Sequence, residues 1–411
     1  MRILYFTQYF PPEVGATQTR AWEMGRYLIE QGHQVTVVTE VPNHPSGIIP
    51  PAYRGRLSGR RSESGIDVLR LWVWTSPNKT FRSRMQFYLS YMSMAALAGS
   101  LIKGKYDLVY VTSPPLFVGA AGMVAALVRR IPFVFEVRDL WPESAVALGE
   151  LSSRRAIAAA ERLEQLLYRG ATRIVAVTEG IRSRLLQRGI RPEKVALIPN
   201  GANTDLFTYQ PEAGRIVAER LGLSGKFIAL YAGIHGVAQG LETVVRAAHL
   251  LRDREDIEFV FVGEGPRKGA IMELSRSLAL DNIHFLPEVP SESMPAYLSA
   301  AGCAIVPLRD EPLFRGALPS KMFEAWACSR PVVLSVAGEA ADVLKQASGG
   351  LLARPEDPEE LAHAIAYLQA RPLDVEAMGQ SGRAYVERHY SRREQARKLA
   401  VLLEEVLAVG K

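Results

Sequence analysis

Residues 2–39 of the chain read RILYFTQYFPPEVGATQTRAWEMGRYLIEQGHQVTVVT. A short apolar run lies at each end, over residues 2–7 and 34–39, and residues 20–31 between them have helical spacing. Apolar runs of this length are typical of parallel strands that helices cover on both faces. The stretch therefore predicts a strand, a helix and a second strand, the repeating unit of an α/β sheet.

The same alternation continues along the chain and begins again after Asn200-Gly201-Ala202-Asn203. Further strands are predicted at 68–74, 107–112, 133–137, 174–178 and 195–199, and then at 227–231, 258–262, 283–286, 304–307 and 331–335. Helices are predicted at 154–168, 180–188, 240–252, 266–279, 291–300, 318–328 and 357–370. We predict an α/β fold of two Rossmann-like domains, residues 1–203 and 204–389, with a cleft between them. Residues 204–224 would form the connection and hinge, and a C-terminal helix at about 390–411 would return to the first domain.

Composition excludes several classes of protein. The chain of 411 residues is 48% hydrophobic and 22% charged, which excludes a disordered chain. Its net charge of +6 suits a phosphate-bearing ligand or an anionic membrane, but also an ordinary soluble protein. Two cysteines, scattered histidines and the lack of a D-x-D pair argue against a structural or catalytic metal, and we expect no cofactor. The first apolar run is too short for a signal peptide, so we expect a cytoplasmic protein. We expect no nucleic-acid partner.

One uncharged segment, residues 85–102, lies between cationic flanks. These flanks consist of Lys79, Arg82 and Arg84 before the segment and Lys103 and Lys105 after it. Three interpretations remain open: a buried helix of the first domain, a helix lying at an anionic membrane surface, or a membrane span. Its serine, tyrosine and glutamine side chains argue against the span.

Two groups of residues follow strands of the first domain, where open α/β sheets bind ligands. Gly15, with Glu13 before it, forms a loop at the start of a helix, which is also compatible with a turn that binds nothing. Arg138 and Asp139 follow the strand at 133–137, with Trp141 and Glu143 close behind. They favour a ligand site, and an internal ion pair is the alternative.

Three further groups follow strands of the second domain. Gly233, His235 and Gly236 lie before a predicted helix, as in a phosphate cradle, and Gly263 and Gly265 form a second turn. The third group is a loop and helix start with two residues on one helical face, Lys321 and Glu324. The third group consists of Arg315, Ala317, Leu318, Lys321 and Glu324. Each of the three groups, taken alone, is also compatible with a plain turn or a surface ion pair.

Together and in this order, these residues resemble the GT-B glycosyltransferases of the retaining family 4. The resemblance covers essentially the whole chain, and the turn from Pro199 to Phe207 is its most specific part. Within the family the chain is most similar to the WbuB-like branch, which builds O-antigen, capsule and colanic-acid sugars. This closer match is carried by residues 137–144, 238–241 and 318–321.

The sequence departs from the family pattern at charged positions. Arg138 appears where the family has a histidine, and the usual Arg and Lys of the second glycine loop fall near Ile234 and Gln239. The E-x7-E pair keeps Glu324, but its first position is Gly316. The resemblance implies that Lys321 and Arg315 take over the donor diphosphate and that His235 donates a hydrogen bond or moves a proton. Arg138 and Asp139 would then act on the acceptor side, together with Gly15, Glu13, Trp141 and Glu143.

The resemblance implies a metal-independent retaining hexosyltransferase. We expect it to move an N-acetylated hexose from a UDP-sugar to a glycan or polyprenyl-diphosphate-linked acceptor in bacterial surface polysaccharide synthesis. Such acceptors favour a peripheral position on the inner face of the cell membrane. Two alternatives remain: a UDP-sugar 2-epimerase of similar architecture, and a catalytically silent partner subunit that binds nucleotide or membrane.

Overall fold

The computed structural model describes residues 1–13, 15–44, 46–78, 80–147 and 151–409. It divides the chain into two compact units. The first unit consists of Met1–Asn200 with the C-terminal segment that begins at Arg393, and the second is Gly201–Arg392. Each unit contains a largely or wholly parallel sheet with helices on both faces, so the predicted α/β fold is confirmed.

The first unit contains an eight-stranded sheet of order β3-β4-β2-β1-β5-β6-β7-β8. Its strands are β1 (Arg2–Phe6), β2 (Gln34–Glu40), β3 (Ser58–Glu63), β4 (Ile66–Leu71), β5 (Leu108–Thr112), β6 (Phe133–Val137), β7 (Arg173–Ala176) and β8 (Val195–Leu197). Its first helices are α1 (Ala16–Glu30), α2 (Phe81–Leu101), α3 (Leu116–Arg129), α4 (Glu143–Ala147), α5 (Arg154–Gly170) and α6 (Glu179–Gln187). Strand β3 pairs antiparallel with β4, and the other pairs are parallel.

The second unit contains a six-stranded parallel sheet of order β11-β10-β9-β12-β13-β14. Its strands are β9 (Phe227–Ala232), β10 (Ile257–Val262), β11 (Ile283–Leu286), β12 (Cys303–Pro307), β13 (Val332–Ser335) and β14 (Gly350–Leu352). Its helices are α7 (Pro211–Arg220), α8 (Leu241–Leu250), α9 (Lys268–Ser277), α10 (Met294–Ala300), α11 (Ser320–Ala327), α12 (Glu339–Ala347), α13 (Pro358–Gln369) and α14 (Pro372–His389). A last helix, α15 (Arg392–Val409), packs on the first unit, as predicted, through apolar residues that include Leu399 and Leu403.

Several elements differ from the sequence prediction. The segment 204–224 is not a simple connection, because it contains α7 and belongs to the second unit. Gly214 of α7 lies so close to the backbone of Ser299 that a Cβ would be 2.7 Å from its carbonyl carbon. The edge strand β3 was not predicted, since its sequence SGRRSE is polar and largely exposed. Helix α1 begins at Ala16 rather than at residue 20.

Helix α2 contains the uncharged segment 85–102, and it is neither fully buried nor a membrane span. It packs along α3 and buries Ser83, Tyr91, Ala95 and Gly99, while its outer face stays exposed. The Tyr91 hydroxyl donates to the carbonyl oxygens of Thr7 and Val38 at 3.0 and 2.8 Å. Within the described residues, no helix combines the length and apolar character that crossing a membrane requires. The flanking Lys79 lies outside the described residues.

A buried ion pair fixes the centre of the first unit. Arg20 of α1 and Glu136 of β6 are at most 1% exposed, with Nη2 and Oε2 2.7 Å apart. The hydroxyls of Tyr110 and Thr112 each donate to the Glu136 carboxylate at 2.6 Å. Burial alone would raise the pKa of Glu136, but Arg20 outweighs it and holds that pKa at about 2. The carboxylate therefore stays charged and fully hydrogen-bonded inside the protein.

We predict that Glu136→Gln destabilises the first unit by about 3–5 kcal/mol, because it leaves the Arg20 charge buried without a counter-ion. Arg182→Gln is the control, since its partner Glu179 lies on the surface one turn away, 2.7 Å from Nη1. Its loss should cost at most about 1 kcal/mol. Urea unfolding of the full chain measures both, and equal effects of the two changes would contradict the assignment.

Candidate active site

Two glycine turns fit against each other at the carboxyl edge of the second sheet. Gly233 follows β9, and Gly263 and Gly265 follow β10. The N–H of Gly233 donates to the Val262 carbonyl at 2.9 Å. Gly263 has a φ of 139°, and a Cβ there would overlap the Gly233 carbonyl, so only glycine fits. The two predicted turns thus form one continuous backbone surface.

Lys321 lies directly over the first turn. It is the second residue of α11, and its stem passes so close to Gly233 that a side chain there would overlap it. Its Nζ donates to the Tyr231 hydroxyl at 2.8 Å and lies 4.4 Å from the centre of that ring. Burial lowers the pKa of Lys321 to about 8, although Glu324 opposes the shift. Lys321 is therefore a partly desolvated cation at neutral pH.

His235 is buried beside Lys321. Its ring centre lies 5.6 Å from that of Tyr231 and 6.1 Å from that of Phe261. Burial, together with the positive charges of Lys268 and Lys321, lowers the pKa of His235 to about 4, so the ring is neutral at pH 7. Neither ring nitrogen has a hydrogen-bond partner among the described residues. An unsatisfied buried polar group costs about 1–3 kcal/mol, so a ligand that pairs with the ring would regain that free energy.

Arg309 is a residue of this edge that sequence reasoning missed. It follows β12, and its backbone N–H donates to the Ala238 carbonyl at 2.9 Å. Its Cγ would lie 3.3 Å from a Cβ at Gly240, and its buried Nε has no hydrogen-bond partner within the described ranges. The rule that ligands bind beyond strand ends would have found it, because only Leu308 separates Arg309 from the strand. The glycine loop after β9 thus has a cation at each end, Lys321 and Arg309.

The other predicted donor-side residues have different surroundings. Arg315 is on the surface, and its Nη2 lies 3.5 Å from Asp310. Ala317 and Leu318 precede α11, where Leu318 is buried in the apolar core. Gly236 leaves room for the Gln239 side chain, since a Cβ would be 2.6 Å from its Oε1.

Arg138 and Asp139 lie at the carboxyl edge of the first sheet, and both contact their own unit. The Nη2 of Arg138 donates to the Ala16 carbonyl at 3.2 Å, next to Gly15. The Ser144 hydroxyl donates to Asp139 Oδ2 at 2.7 Å. Burial raises the pKa of Asp139, and the bond from Ser144 opposes that shift. The structure therefore brings Gly15 and Arg138 together and places Asp139 in the loop before α4, bound to Ser144 of that helix.

Trp141 and Glu143 have contrasting environments. The Trp141 ring stands edge-on to Phe117, with the ring centres 5.9 Å apart. Glu143 accepts hydrogen bonds from Arg184 at 3.0 Å and from Arg188 at 2.6 Å. Trp141 thus extends the stacked pair of Phe117 and Tyr88, whose ring centres are 5.8 Å apart, while Glu143 belongs to an ion-pair network with α6.

Glu13 belongs to a buried polar cluster on the loops after β1 and β2. Its Oε1 accepts the backbone N–H groups of Asn43 and His44, both at 2.7 Å. Glu40 accepts from Gln8 and from the Asn43 side chain, both at 2.8 Å, and burial and Glu13 raise the pKa of Glu40 well above its usual value. Gln8 Oε1 is buried without a partner among the described residues. All four side chains are buried, and the acceptor-side role of Glu13 stays a prediction.

Comparisons with known proteins identify the family of the chain. The glycosyl transferase 4-like domain matches residues 15–201, and the glycosyl transferases group 1 domain matches residues 226–371. The chain belongs to the GT-B glycosyltransferases of family 4. The predicted family is thereby confirmed.

The relatives of this glycosyltransferase have names that refer to different sugars and products. The chain is 24% identical over 346 residues to the putative colanic acid biosynthesis glycosyl transferase WcaI of Escherichia coli, covering 82% of this chain and 83% of WcaI. It is 28% identical to a GDP-mannose-dependent phosphatidylinositol monomannoside mannosyltransferase of Mycolicibacterium smegmatis, over 50% of this chain and 55% of that protein. The solved structure of HepE from Anabaena with UDP-glucose is 17% identical, with a TM-score of 0.75 over 98% of this chain and 100% of HepE.

The glycosyltransferase has no cluster of three or more His, Cys, Asp or Glu side chains suited to a metal ion in the part of the chain that the structure describes. Its freedom from a metal stays a prediction. The residue roles assigned from sequence also stay predictions, although the structure groups Gly233, His235, Gly263, Gly265 and Lys321 at one edge.

We predict that the donor kcat/KM of this glycosyltransferase falls as pH rises through about 8. Burial lowers the pKa of Lys321 to about 8, and only the protonated amine, present below that pH, attracts a diphosphate. Lys321→Arg should move the fall to higher pH, since a guanidinium stays charged. A pH–rate profile of both proteins measures this, and the same falling limb in both would exclude Lys321 as its origin.

Proposed function

We propose that this glycosyltransferase moves a sugar from a UDP-sugar to a hydroxyl group of a glycan or polyprenyl-diphosphate-linked acceptor in surface polysaccharide synthesis. The transferred sugar is an N-acetylated hexose, and its anomeric configuration is retained. The observation that carries the proposal is Lys321 over Gly233, in a glycine cradle beside His235. The similarity to WcaI, named for colanic acid biosynthesis, supports the choice of product.

The diphosphate of the donor is the group that the cradle suits best. Departure of a nucleoside diphosphate requires its growing negative charge to be stabilised, and a partly desolvated cation does this more strongly than one in water. Lys321 and Arg309 supply cations at the two ends of the loop, and its glycines let backbone approach the phosphate oxygens. No metal is needed in this scheme, which is the proposed basis of metal independence.

The acceptor hydroxyl attacks the anomeric carbon of the donor sugar from the same face as the one from which the diphosphate departs. The leaving phosphate oxygen takes the acceptor proton, the new glycosidic bond forms as the bond to the diphosphate breaks, and the configuration is retained. The neutral ring of His235 lies beside Lys321, and its nitrogens have no partner among the described residues. It donates a hydrogen bond to the bound nucleotide sugar. Positioning and electrostatics carry the reaction in this mechanism.

Nucleotide sugars should stabilise the protein against heat, with UDP-sugars the most effective. A ligand at 100 times its Kd stabilises the folded state by about 2.7 kcal/mol. Lys321→Ala should abolish most of the shift in Tm, while Lys345→Ala, an exposed lysine of α12, should leave it unchanged. Differential scanning fluorimetry with UDP- and GDP-sugars measures this.

The outcomes separate the alternatives. The similarity to a GDP-mannose-dependent mannosyltransferase makes GDP-sugars the second candidate donors. If only GDP-sugars raise the Tm, the donor is a GDP-sugar and not a UDP-sugar. Epimerised UDP-sugar formed without acceptor would indicate the epimerase, and binding without turnover would indicate a silent partner. NMR of the product decides the mechanism, because an inverted linkage is incompatible with reaction on the leaving-group face.

Membrane attachment is proposed for the outer face of α2 and α3. Leu97 and Leu101 lie one turn apart on α2 and are 59% and 70% exposed, and Leu127 and Val128 of α3 are 70% and 61% exposed. The Nε of Arg129 donates to the Gly99 carbonyl at 2.6 Å, which joins the last turns of both helices. We call these four apolar residues the apolar face. Around its end lie the exposed cations Lys103, Lys105 and Arg130.

Such a face suits an anionic membrane surface, because apolar side chains enter the headgroup region while cations contact lipid phosphates. We predict that Leu101→Glu with Leu127→Glu abolishes co-sedimentation with phosphatidylglycerol vesicles. Leu373→Glu with Ile216→Glu is the control, since these exposed apolar residues lie on the second unit. Equal binding of both variants, or equal binding to phosphatidylcholine vesicles, would contradict the proposal.

A further inference from the structure

The outer edge of the first sheet carries a basic groove that the proposed reaction does not use. In the hairpin of β3 and β4, Gly59 pairs with Arg70 and Arg61 with Val68. Alternate residues of a strand point to the same face, so Arg61 and Arg70 lie on one face. Arg60 lies on the opposite face, where its Nε donates to Asp67 at 2.9 Å. The hairpin therefore separates a paired arginine from the arginines of the groove.

The shape of the groove depends on Gly59. A Cβ built there would meet no atom within 4 Å, so the space opposite Arg70 is open. The polar side chains and the tyrosine that line the groove are Tyr53, Arg56, Ser58, Arg61, Glu63 and Arg70. We call this set the arginine groove.

Arg70 forms the floor of the arginine groove and has spare donor capacity. It is 4% exposed, and its guanidinium lies 5.8 Å from the centre of the Tyr53 ring. Its Nη2 donates to Glu63 Oε2 at 3.0 Å and also to the Pro11 carbonyl. Its Nη1 is buried and has no hydrogen-bond partner among the described residues. A buried guanidinium nitrogen without a partner calls for an acceptor that the protein itself does not supply.

Arg56 and Arg61 add exposed charge at the groove. Both side chains are solvent-exposed, and neither forms an ion pair or hydrogen bond within the described residues. Arg70 is paired with Glu63 and also lies within electrostatic reach of the buried carboxyl of Glu13, so the two positive charges without a counter-ion are those of Arg56 and Arg61. This excess matches the charge of a phosphate dianion, and guanidinium groups bind phosphate oxygens in pairs.

The groove lies beside the acceptor-side loops. Arg70 contacts the carbonyl of Pro11, two residues before Glu13. Ser58 pairs with Leu71, so Arg56 and Ser58 lie toward the carboxyl end of β4. A ligand that contacts the Glu13 cluster with hydroxyl groups can therefore place an anionic group near the arginines.

We infer that the arginine groove binds a phosphate or diphosphate group, carried by the acceptor or by a lipid headgroup. The assignment to the acceptor rests on the proposed function, whereas phosphate binding itself does not. Arg56 and Arg61 clamp the phosphate oxygens from the open side, and Arg70 Nη1 donates from the floor.

Hydrogen-exchange mass spectrometry of the full chain with inorganic pyrophosphate tests the inference. Pyrophosphate should slow exchange in residues 54–63, and Arg56→Gln with Arg61→Gln should raise the half-saturating concentration by roughly tenfold or more. Arg154→Gln with Arg155→Gln removes the same charge at the exposed start of α5 and should match the unmodified protein. Gly59→Leu keeps every arginine but fills the groove, and it should also abolish protection.

The same spectra separate this inference from the proposed function. Protection of residues 231–240 reports binding at the donor cradle, and its absence speaks only against the proposed donor site. Absent protection of residues 54–63, or protection that survives both Gly59→Leu and the double arginine change, would overturn the arginine groove.

Two further measurements identify the source of the phosphate, and either positive result supports the groove. If the acceptor carries it, the double arginine variant should raise KM for a phosphate-bearing acceptor and leave the donor KM unchanged. If a lipid carries it, the same variant should lose affinity for phosphatidylglycerol vesicles. No change in either would contradict a biological role for the groove.

Discussion

The buried pair of Arg20 and Glu136 is the interaction on which the first unit depends. It joins α1 to β6, and Arg20 also donates to the carbonyl groups of Ile198 and Pro199 at 3.1 Å. Helix α1, strand β6 and the turn that follows β8 are thus held together by one buried ion pair. A buried ion pair contributes little net stability compared with an apolar replacement, but losing one partner leaves the other as an uncompensated buried charge. The positions of the loops after β1 and β6, which hold Glu13 and Arg138, follow from it.

The edges of the two sheets differ in how their backbone and polar side chains are arranged. In the first unit, some charged groups at the sheet edge are paired within the protein, as Glu143 is with Arg184 and Arg188, whereas Gln8 Oε1 and Arg70 Nη1 are buried without partners among the described residues. In the second unit, glycines bring backbone close together, and polar groups such as His235 and Arg309 Nε are left without partners. Unsatisfied groups at a strand end cost stability, and a ligand that satisfies them gains the difference as affinity. We therefore regard the second edge as built for a tightly held, oxygen-rich ligand.

Much of the fold and part of the candidate site follow from the sequence, for identifiable reasons. Apolar runs between helices revealed most of the sheets, and the strand-end rule located Gly233, Gly263 and Lys321. Strand β3 was missed because an exposed edge strand has no apolar pattern. The sequence did not single out Arg309, because a charged residue in a loop is usually an ordinary surface residue. Whether Glu143 faces a ligand or an arginine depends on α6, about 40 residues further along the chain, and local spacing contains no such information.

The hydroxyl of Tyr91 has a mechanical consequence. It holds the middle of α2 to the backbone at the ends of β1 and β2, through the carbonyl groups of Thr7 and Val38. The next residue after Thr7 is Gln8, whose side chain binds Glu40. The helix proposed for membrane attachment and the loops that hold the buried carboxyl groups are thus connected through one side chain.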